Sequence, residues 1–277
     1  MWVFDNVWRR PESTQGNRTE AVMILTADSE IALRTNRRRA NEGWNTVFLG
    51  SNRFTRKESD PLPEPGALYP VAFLVEKEAG AVVRPHFHHA EQFQVVVAGS
   101  GSFGTHDAAA VTVHYTDPYS AYGPIRAADD GIQWFTLRNA WDPGARYMPT
   151  YRDELRAARA RHQHREATAP PLPALSAEEL RQITKAECAE VMPPAADGMG
   201  AWRYKLPPGA SVRGPDPREG GGQFWLVLAG RLAADGSAPM PANSCVFVAP
   251  DAGALIARAG GEGAEALCMQ FPVRVCH

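Results

Sequence analysis

The hydrophobic pattern divides the chain into short apolar or alternating segments separated by clusters of Gly, Pro, Asp and Ser. Between residues 92 and 98 polar and apolar residues alternate, so that Gln92 and Gln94 share one face of an extended segment and Phe93 and Val95 share the other. Many short segments at close, regular spacing predict an all-β sandwich or barrel. The predicted strands lie at 45–50, 69–76, 81–88, 92–98, 102–106, 111–116, 119–125, 132–138, 201–206, 210–213, 223–229, 244–248 and 265–274.

Three other segments have helical character. Residues 27–41 predict a short helix that Asp28 or Ser29 caps and Gly43 ends. Residues 152–166 are charged and rich in alanine, which predicts a second helix, and a proline-rich stretch then acts as a stiff linker. A third helix begins at Ser176, where a capping box is present.

The internal repeat is the strongest long-range feature of the sequence. In the second copy Pro215 and Pro217 stand where the first copy has His86 and His88. The sequence therefore indicates a duplicated β domain whose second copy has lost its histidines. The matching segments are Gly80–Arg84 with Gly209–Arg213, and Gln92–Gly99 with Gln223–Gly230.

The repeat and the helical segments together predict four regions. An N-terminal arm and helix precede a first barrel that carries the candidate site, a short helical linker follows, and a second barrel without a metal ends the chain. The boundaries are 1–43, 44–150, 151–198 and 199–277.

Composition and charge narrow the function classes. The 277 residues carry a net charge of −2, which argues against a nucleic-acid-binding protein driven by electrostatics. The sequence shows neither a signal peptide nor a long apolar run, so we expect a cytoplasmic protein with no membrane partner. Four cysteines without a CxxC spacing predict reduced thiols rather than a zinc knuckle.

A His-x-His pair in a predicted strand carries the candidate chemistry. His86 and His88 lie on one face because strand side chains alternate, whereas His89 points away. Imidazole is a common metal ligand, so the pair predicts a metal site. For the third ligand, strand alternation favours Gln92 over Glu91, since it places the glutamine on the histidine face.

These residues resemble the first motif of the cupin superfamily, in which a Gly, a His-x-His pair, a carboxylate and a second Gly recur at fixed spacing. The chain departs from that motif because glutamine takes the place of the carboxylate. The resemblance implies a bicupin of two double-stranded β-helix (jelly-roll) barrels and one divalent metal ion, Fe, Mn, Ni or Zn. The matching positions are Gly80, His86, His88, Gln92 and Gly99.

The histidine that the family's second motif supplies as a fourth ligand is missing here. The matching position falls at or beside Tyr122 and Gly123. Tyr122, His106, His114 or a water could complete the ligand shell. A second His-x-His, His162 and His164, falls in the predicted helix; residues two apart in a helix point in different directions, so that pair is not a metal site.

The function expected from the resemblance is a metal-dependent reaction on a small organic molecule, most often of oxygenase type. An isomerase or lyase is the alternative, as is a non-catalytic small-molecule-binding cupin. Beside the ligands His86, His88, Gln92 and His106, the candidate catalytic residues are Tyr122, Arg84 and Gln94. The resemblance also implies a homodimer.

Overall fold

The computed structural model describes residues 23–52, 55–56, 59–64, 67–159, 164–234 and 236–273. Two antiparallel sheets dominate these residues, one of nine strands and one of eight. The predicted all-β fold is confirmed. Among the described residues no helix is long and apolar enough to span a bilayer.

The nine-stranded sheet forms the first barrel. Its strand order is β12-β9-β7-β10-β4-β3-β2, with β5 beside β10 and β8 beside β7, while β6 and β11 form a separate two-stranded ribbon. The strands are β2 (Arg37–Arg39), β3 (Gly43–Leu49), β4 (Val71–Lys77), β5 (Val82–Val83), β6 (His86–Phe87), β7 (Gln92–Phe103), β8 (His106–Ala109), β9 (Val113–Thr116), β10 (Ile125–Arg138), β11 (Arg146–Tyr147) and β12 (Glu166–Thr168).

The eight-stranded sheet forms the second barrel. Its strand order is β1-β18-β16-β19-β14-β13, with β15 beside β19 and β17 beside β16. Its first strand, β1, comes from the start of the chain. The strands are β1 (Ile24–Ala27), β13 (Glu187–Met192), β14 (Gly200–Leu206), β15 (Ser211–Arg213), β16 (Gln223–Ala234), β17 (Met240–Pro241), β18 (Cys245–Val248) and β19 (Ile256–Gln270).

The two sheets repeat one topology. The order β9-β7-β10-β4 in the first barrel corresponds to β18-β16-β19-β14 in the second. Gly99 and Gly230 both adopt positive φ, and a Cβ on either would meet a facing glycine oxygen, of Gly131 or Gly263, at 2.2 Å. Both barrels therefore share the same irregularity in the same strand pair, which supports the duplication inferred from sequence.

Helices are shorter than the sequence predicts. Helix α1 (Ser29–Asn36) begins after Asp28, whose carboxylate accepts from two backbone amides, as expected. It ends at Asn36 rather than at Gly43, because the following arginines pair with β3 as β2. Helix α2 (Arg152–Arg159) and helix α3 (Ala177–Arg181) are likewise short. The region predicted as a helical linker also supplies β12 to the first sheet and β13 to the second.

Two other predicted elements differ from the structure. The composition of residues 129–131 predicts a hairpin turn, but β10 continues through them with a register shift against β7. The pattern at residues 119–125 predicts a strand; only Ile125 belongs to β10, and Tyr122 makes an isolated bridge to His86. In both places pairing with a distant strand overrides the local signal.

One hydrophobic core joins the barrels. Phe93, on the face of β7 opposite the glutamines, lies 5.2 Å from Phe271 between ring centroids, and Phe271 lies 6.2 Å from Phe224. All three side chains are fully buried. The sequence left open whether this apolar face packs inside the chain or in a dimer; it packs against the second barrel.

Candidate functional site

His86 and His88 lie in and just after the short strand β6, which β11 pairs on one side and Tyr122 bridges on the other. Alternation puts Phe87 on the opposite face, where it is fully buried. The two imidazole rings are perpendicular, at 89°, with centroids 5.1 Å apart. The spacing therefore brings the two rings together, as the sequence predicted.

The hydrogen bonds of the two histidines fix their tautomers. Nδ1 of His86 donates to the carbonyl oxygen of Arg84 at 2.8 Å. Nδ1 of His88 lies 2.8 Å from a carboxylate oxygen of Asp142, which can only accept, and 3.0 Å from Nη2 of Arg138, which can only donate. The shorter contact, with the anion, assigns the proton to this nitrogen as well. Both Nε2 atoms are therefore left with a free lone pair, and both residues line the same cavity.

Burial keeps both imidazoles neutral. Loss of solvent, followed by the neighbouring His88, lowers the pKa of His86 to about 3. Loss of solvent, followed by the charge of Arg138, lowers the pKa of His88 to about 4. At neutral pH the two Nε2 atoms are hydrogen-bond acceptors, because neither ring takes up a second proton.

Gln92 is held by two partners at once. Its Oε1 accepts from Nη2 and Nε of Arg138, at 2.8 and 3.2 Å, and its Nε2 donates to the Tyr122 hydroxyl at 2.7 Å. Gln92 is fully buried and does not line the cavity, whereas Gln94 does. The amide of Gln92 is thus fixed with its oxygen turned towards a cation.

Arg138 and Asp142 form a buried ion pair beside His88. Nη1 of Arg138 donates to Oδ1 of Asp142 at 3.1 Å, and both side chains are at most 5% exposed. The same carboxylate accepts from the backbone amides of His89 and Gly144. Burial raises the pKa of Asp142, but Arg138 and His88 outweigh that effect and the pKa lies well below its ordinary value. Asp142 is therefore an anion that orients His88.

The cavity has a volume of about 140 Å³. One end is polar, and the remaining wall combines aromatic, aliphatic and further polar side chains, among them Asn45 and Lys77. The polar end contains His86, His88, Gln94, Tyr122, Arg138 and Asp142. The aromatic residues are Trp44, Phe73, Trp134 and Tyr147. A cavity with apolar walls and convergent polar groups is typical of small-molecule sites.

The second barrel has lost this cavity to packing. Trp225 occupies the position equivalent to Gln94 and is fully buried. A Cβ on Gly214 would lie 2.4 Å from the Trp225 ring, so only glycine leaves room for the indole there. Tyr204 stacks on the same ring at 4.9 Å. The interior of the second barrel is thus filled by side chains.

Not every predicted site residue reaches the cavity. Arg84 is exposed, and its guanidinium lies 4.9 Å over the ring of Tyr147, so it supports the cavity wall rather than entering it. His106 is exposed in β8, paired with Phe103, and is not placed to be a ligand beside His86.

His114 and His164 also lie away from the polar end. His114 is buried against Tyr122, at 5.2 Å between centroids, but does not line the cavity; its Nδ1 pairs with Thr168. His164 is exposed beyond helix α2, near the carbonyl of Tyr119, and His162 lies outside the described residues.

Arg138 and Asp142 are the residues that sequence reasoning missed. Both lie about 50 positions from the histidines, and neither forms part of a recognisable motif. Arg138 reaches Gln92 because β10 pairs with β7 in a register that places Leu137 opposite Phe93. Only the strand register could have identified it.

Comparison with known proteins adds information at the level of fold. No family model and no curated protein matches the chain. Among solved structures, Lactobacillus farciminis oxalate decarboxylase has a TM-score of 0.55 at 12% identity, covering 94% of this chain and 88% of that one. Escherichia coli pirin YhhW, in complex with nickel(II), has a TM-score of 0.52 at 9% identity, covering 91% and 100%. The Wrightia tinctoria 11S globulin, whose structure reveals an auxin binding site, has a TM-score of 0.52 at 11% identity, covering 91% and 84%.

This chain has the bicupin fold. The similarity extends over more than nine-tenths of the chain, so it includes both of its barrels. The expectation drawn from the His-x-His motif is confirmed for the fold. At these identities the similarity does not extend to chemistry, so the bicupin's own residues have to decide what its site binds.

The donor set of this bicupin lacks the third metal ligand that the sequence predicted. The Nε2 atoms of His86 and His88 are suitable ligands, because their Nδ1 atoms are anchored. The oxygen of Gln92 is already held by Arg138, and burial raises the pKa of Tyr122 above its ordinary value, so that residue stays a neutral phenol. Catalytic metal sites use about three protein ligands, and the one further unpartnered acceptor among the described cavity residues is the neutral Oε1 of Gln94. No group of three His, Cys, Asp or Glu side chains among the described residues is placed to hold a metal.

Proposed function

We propose that the N-terminal barrel binds a small organic molecule with neighbouring hydroxyl groups, and that the protein is a small-molecule-binding bicupin. The single observation that carries the proposal is the pair of neutral Nε2 acceptors at the polar end of an aromatic-walled cavity. Two adjacent acceptors call for a ligand that presents two adjacent donors.

The cavity volume limits the size of this ligand. A dry cavity of about 150 Å³ in another protein accommodates benzene, so about 140 Å³ suits a molecule with one ring. Trp44, Phe73 and Trp134 provide flat apolar walls for such a ring. An 11S globulin with the same fold has an auxin site, which supports the use of this fold for small ring compounds.

Binding suits the residues better than acid–base catalysis does. A general base works best when its pKa is near the working pH. His86 and His88, with a pKa of about 3 and about 4, are not imidazolium ions at neutral pH, so they are poor general acids and weak bases. Tyr122, whose pKa is raised by burial, stays a hydrogen-bond donor.

The test is calorimetric titration of the full chain with catechol and with 1,2-difluorobenzene, which has a similar shape but no donors. We expect catechol to bind at least about tenfold more tightly, because an unpaired buried acceptor costs about 1–3 kcal/mol. His86→Leu should remove that preference, and His106→Leu, which changes an exposed histidine, should keep it. Equal affinity for the two compounds in the wild type, or binding of neither, would show the proposal to be wrong.

The second barrel suggests a matched variant that closes the cavity. Gln94→Trp places an indole where Trp225 fills the other barrel. We expect catechol binding to be lost, while Gln94→Leu, which fills less space, weakens it only in part. Circular dichroism would show whether both variants fold; unchanged catechol binding in a folded Gln94→Trp variant would place the ligand elsewhere.

A metal-dependent enzyme, of oxygenase type or otherwise an isomerase or lyase, is the second candidate. One observation favours it, the free Nε2 atoms of His86 and His88 with anchored Nδ1 atoms. Oxygen uptake with a panel of phenols and diketones, in protein supplied with divalent iron, tests it. Uptake that His86→Leu abolishes would replace the binding proposal by this one. The expected homodimer and the cytoplasmic location stay predictions.

A further inference from the structure

Arg138 has a different role from the other cavity residues, because it brings a permanent positive charge into the site. Its guanidinium contacts Gln92 at 2.8 Å, Asp142 at 3.1 Å and Nδ1 of His88 at 3.0 Å. The side chain is 5% exposed, so solvent screens this charge little. Arg138 therefore lies among the groups that would surround an ion held by the two histidines.

Gln92 cannot bind a metal ion through its amide oxygen without giving up its hydrogen bonds to Arg138. Its oxygen accepts two N–H groups of the guanidinium, and its nitrogen donates to Tyr122. Turning the amide over would place its NH₂ group against the guanidinium, donor against donor. Gln92, the predicted third metal ligand, is thus already bound to the guanidinium of Arg138.

The charges of the site show the same conflict. Arg138 and Asp142 form an ion pair whose charges cancel, and histidine binds a metal ion as the neutral imidazole, so these groups offer no net negative charge. A divalent ion on His86 and His88 would therefore add two buried positive charges beside a guanidinium, which is unfavourable unless an anion enters with it. Among the described residues no further carboxylate lines the cavity to balance them.

The second barrel shows that the guanidinium is not needed to hold the glutamine. At the position equivalent to Arg138, opposite Gln223, stands Gln270. Nε2 of Gln223 donates to Oε1 of Gln270 at 2.8 Å, so one neutral amide holds another there. The first barrel, which has the two histidines, has Arg138 at this position. The second barrel, which has prolines in their place, has the neutral Gln270.

We infer that Arg138 is a built-in cation that takes up the third-ligand position of the His86–His88 pair, so that this barrel binds its organic ligand without a metal ion. The inference rests on the proposed function in treating the cavity as the ligand site. It differs from what the resemblance to metal-binding cupins implies, and it assigns the difference to one residue.

The first experiment compares charge at position 138 in the full chain. Wild type, Arg138→Lys and Arg138→Gln are purified without chelator, analysed for metal, and titrated with Zn²⁺ and Mn²⁺ while the melting temperature is followed. Arg138→Gln copies Gln270 and removes the charge; Arg138→Lys keeps the charge. We expect the wild type and Arg138→Lys to contain no stoichiometric metal. Arg138→Gln should bind Zn²⁺ more tightly by about 10- to 100-fold, because changes beside metal ligands alter the affinity by about this factor and this change removes a positive charge.

A second variant keeps the test decisive if Arg138→Gln binds Zn²⁺ only slightly more tightly than the wild type. The double variant Gln92→Glu/Arg138→Gln gives the site two negative charges, one from the carboxylate introduced at position 92 and one from the native Asp142, which one divalent ion would balance. We expect this variant to hold one ion per chain, and to lose it when His86 and His88 are replaced by Ala. A folded double variant, by circular dichroism, that binds Zn²⁺ no better than the wild type would overturn the inference.

The wild type offers the other decisive result. One ion per chain in the wild type, lost in His86→Ala/His88→Ala, would also overturn the inference. Catechol titration before and after chelation separates the two proposals. If the wild type contains such an ion and still binds catechol after the ion is removed, the proposed function stands and the role of Arg138 is wrong. If the wild type contains no metal and binds neither catechol nor 1,2-difluorobenzene, the role of Arg138 stands and the proposed function is wrong.

Discussion

At the scale of single residues, spacing identified the histidine pair. His86 and His88 point to the same cavity because side chains on a strand alternate, and this rule needs no knowledge of the fold. Gln92 begins a different strand, and it lies near the histidines without lining the cavity. The contacts of the site depend on two residues that spacing could not identify. Arg138 and Asp142 are brought to the histidines by strand pairing, where Arg138 holds Gln92 and Asp142 holds His88.

Buried neutral histidines predict an acid-sensitive fold. Burial, and next to it the charge of His106, lowers the pKa of His114 to about 3 from an ordinary 6.5. The unfolded chain takes up a proton below pH 6.5 and the folded chain does not until much lower pH. The stability is therefore complete above about pH 6.5 and falls as the pH drops towards the folded pKa, by about 1.4 kcal/mol per pH unit for each such histidine.

The measurement is the free energy of unfolding in urea at several values between about pH 7 and about pH 4.5. We expect His114→Asn to have a shallower slope than the wild type by about one proton. The exposed His106→Asn is the matched control, and only a small change of slope is expected from it. If the slope of His114→Asn equals that of the wild type, His114 is not the buried neutral group described here.

At the scale of elements, local signals located the strands better than the helix ends. The sequence predicted strands around β3, β4, β7, β9 and β14, and the structure has them. It predicted a helix over β2 and a helical linker over the region that contains β12 and β13, where arginine, alanine and glutamate have high helix propensity. Those segments are edge strands, and their conformation is decided by a neighbouring strand that no local pattern describes.

Strand β1 provides a test of an element that crosses between barrels. It pairs with β18 of the second barrel, with Leu25 opposite Phe247, and the bond from the Ala249 amide to the Met23 oxygen places Leu25 and Phe247 in a hydrogen-bonded pair. Leu25→Pro removes a donor and should lower the hydrogen-exchange protection of Cys245–Val248, while Leu25→Val should not. The affinity of the first barrel for catechol should change little, because β1 pairs with a strand of the second barrel. Full protection in Leu25→Pro would show that β18 does not depend on β1.

At the scale of the whole molecule, the two barrels share one core. Phe93 and Phe224, one from each barrel, both contact Phe271. Arg165 adds a polar link between Asp117 of the first barrel and Asp197 ahead of the second, at 3.2 and 2.9 Å. A shared core makes it costly for either barrel to unfold alone, so the barrels should unfold together.

Phe271→Ala tests this coupling. Removing a fully buried aromatic side chain typically costs about 3–5 kcal/mol, and the loss here would fall on both barrels. Phe271→Leu, which keeps most of the volume, should cost less than about 1.5 kcal/mol. Calorimetry of the wild type should show one transition, and Phe271→Ala should lower its temperature or divide it in two. Two separate transitions in the wild type would contradict a shared core.

The sequence by itself determined the duplicated all-β fold, the barrel that carries the site, and the histidine face of its strand. Those properties follow from residue spacing, which a strand converts directly into direction. Only the tertiary structure decided which cation the site contains. Arg138 and Gln270 are equivalent residues at the ends of long strands, and the sequence around them says little about their partners. The register of β10 on β7 places Arg138 beside Gln92 and His88, and the register of β19 on β16 places Gln270 beside a neutral glutamine.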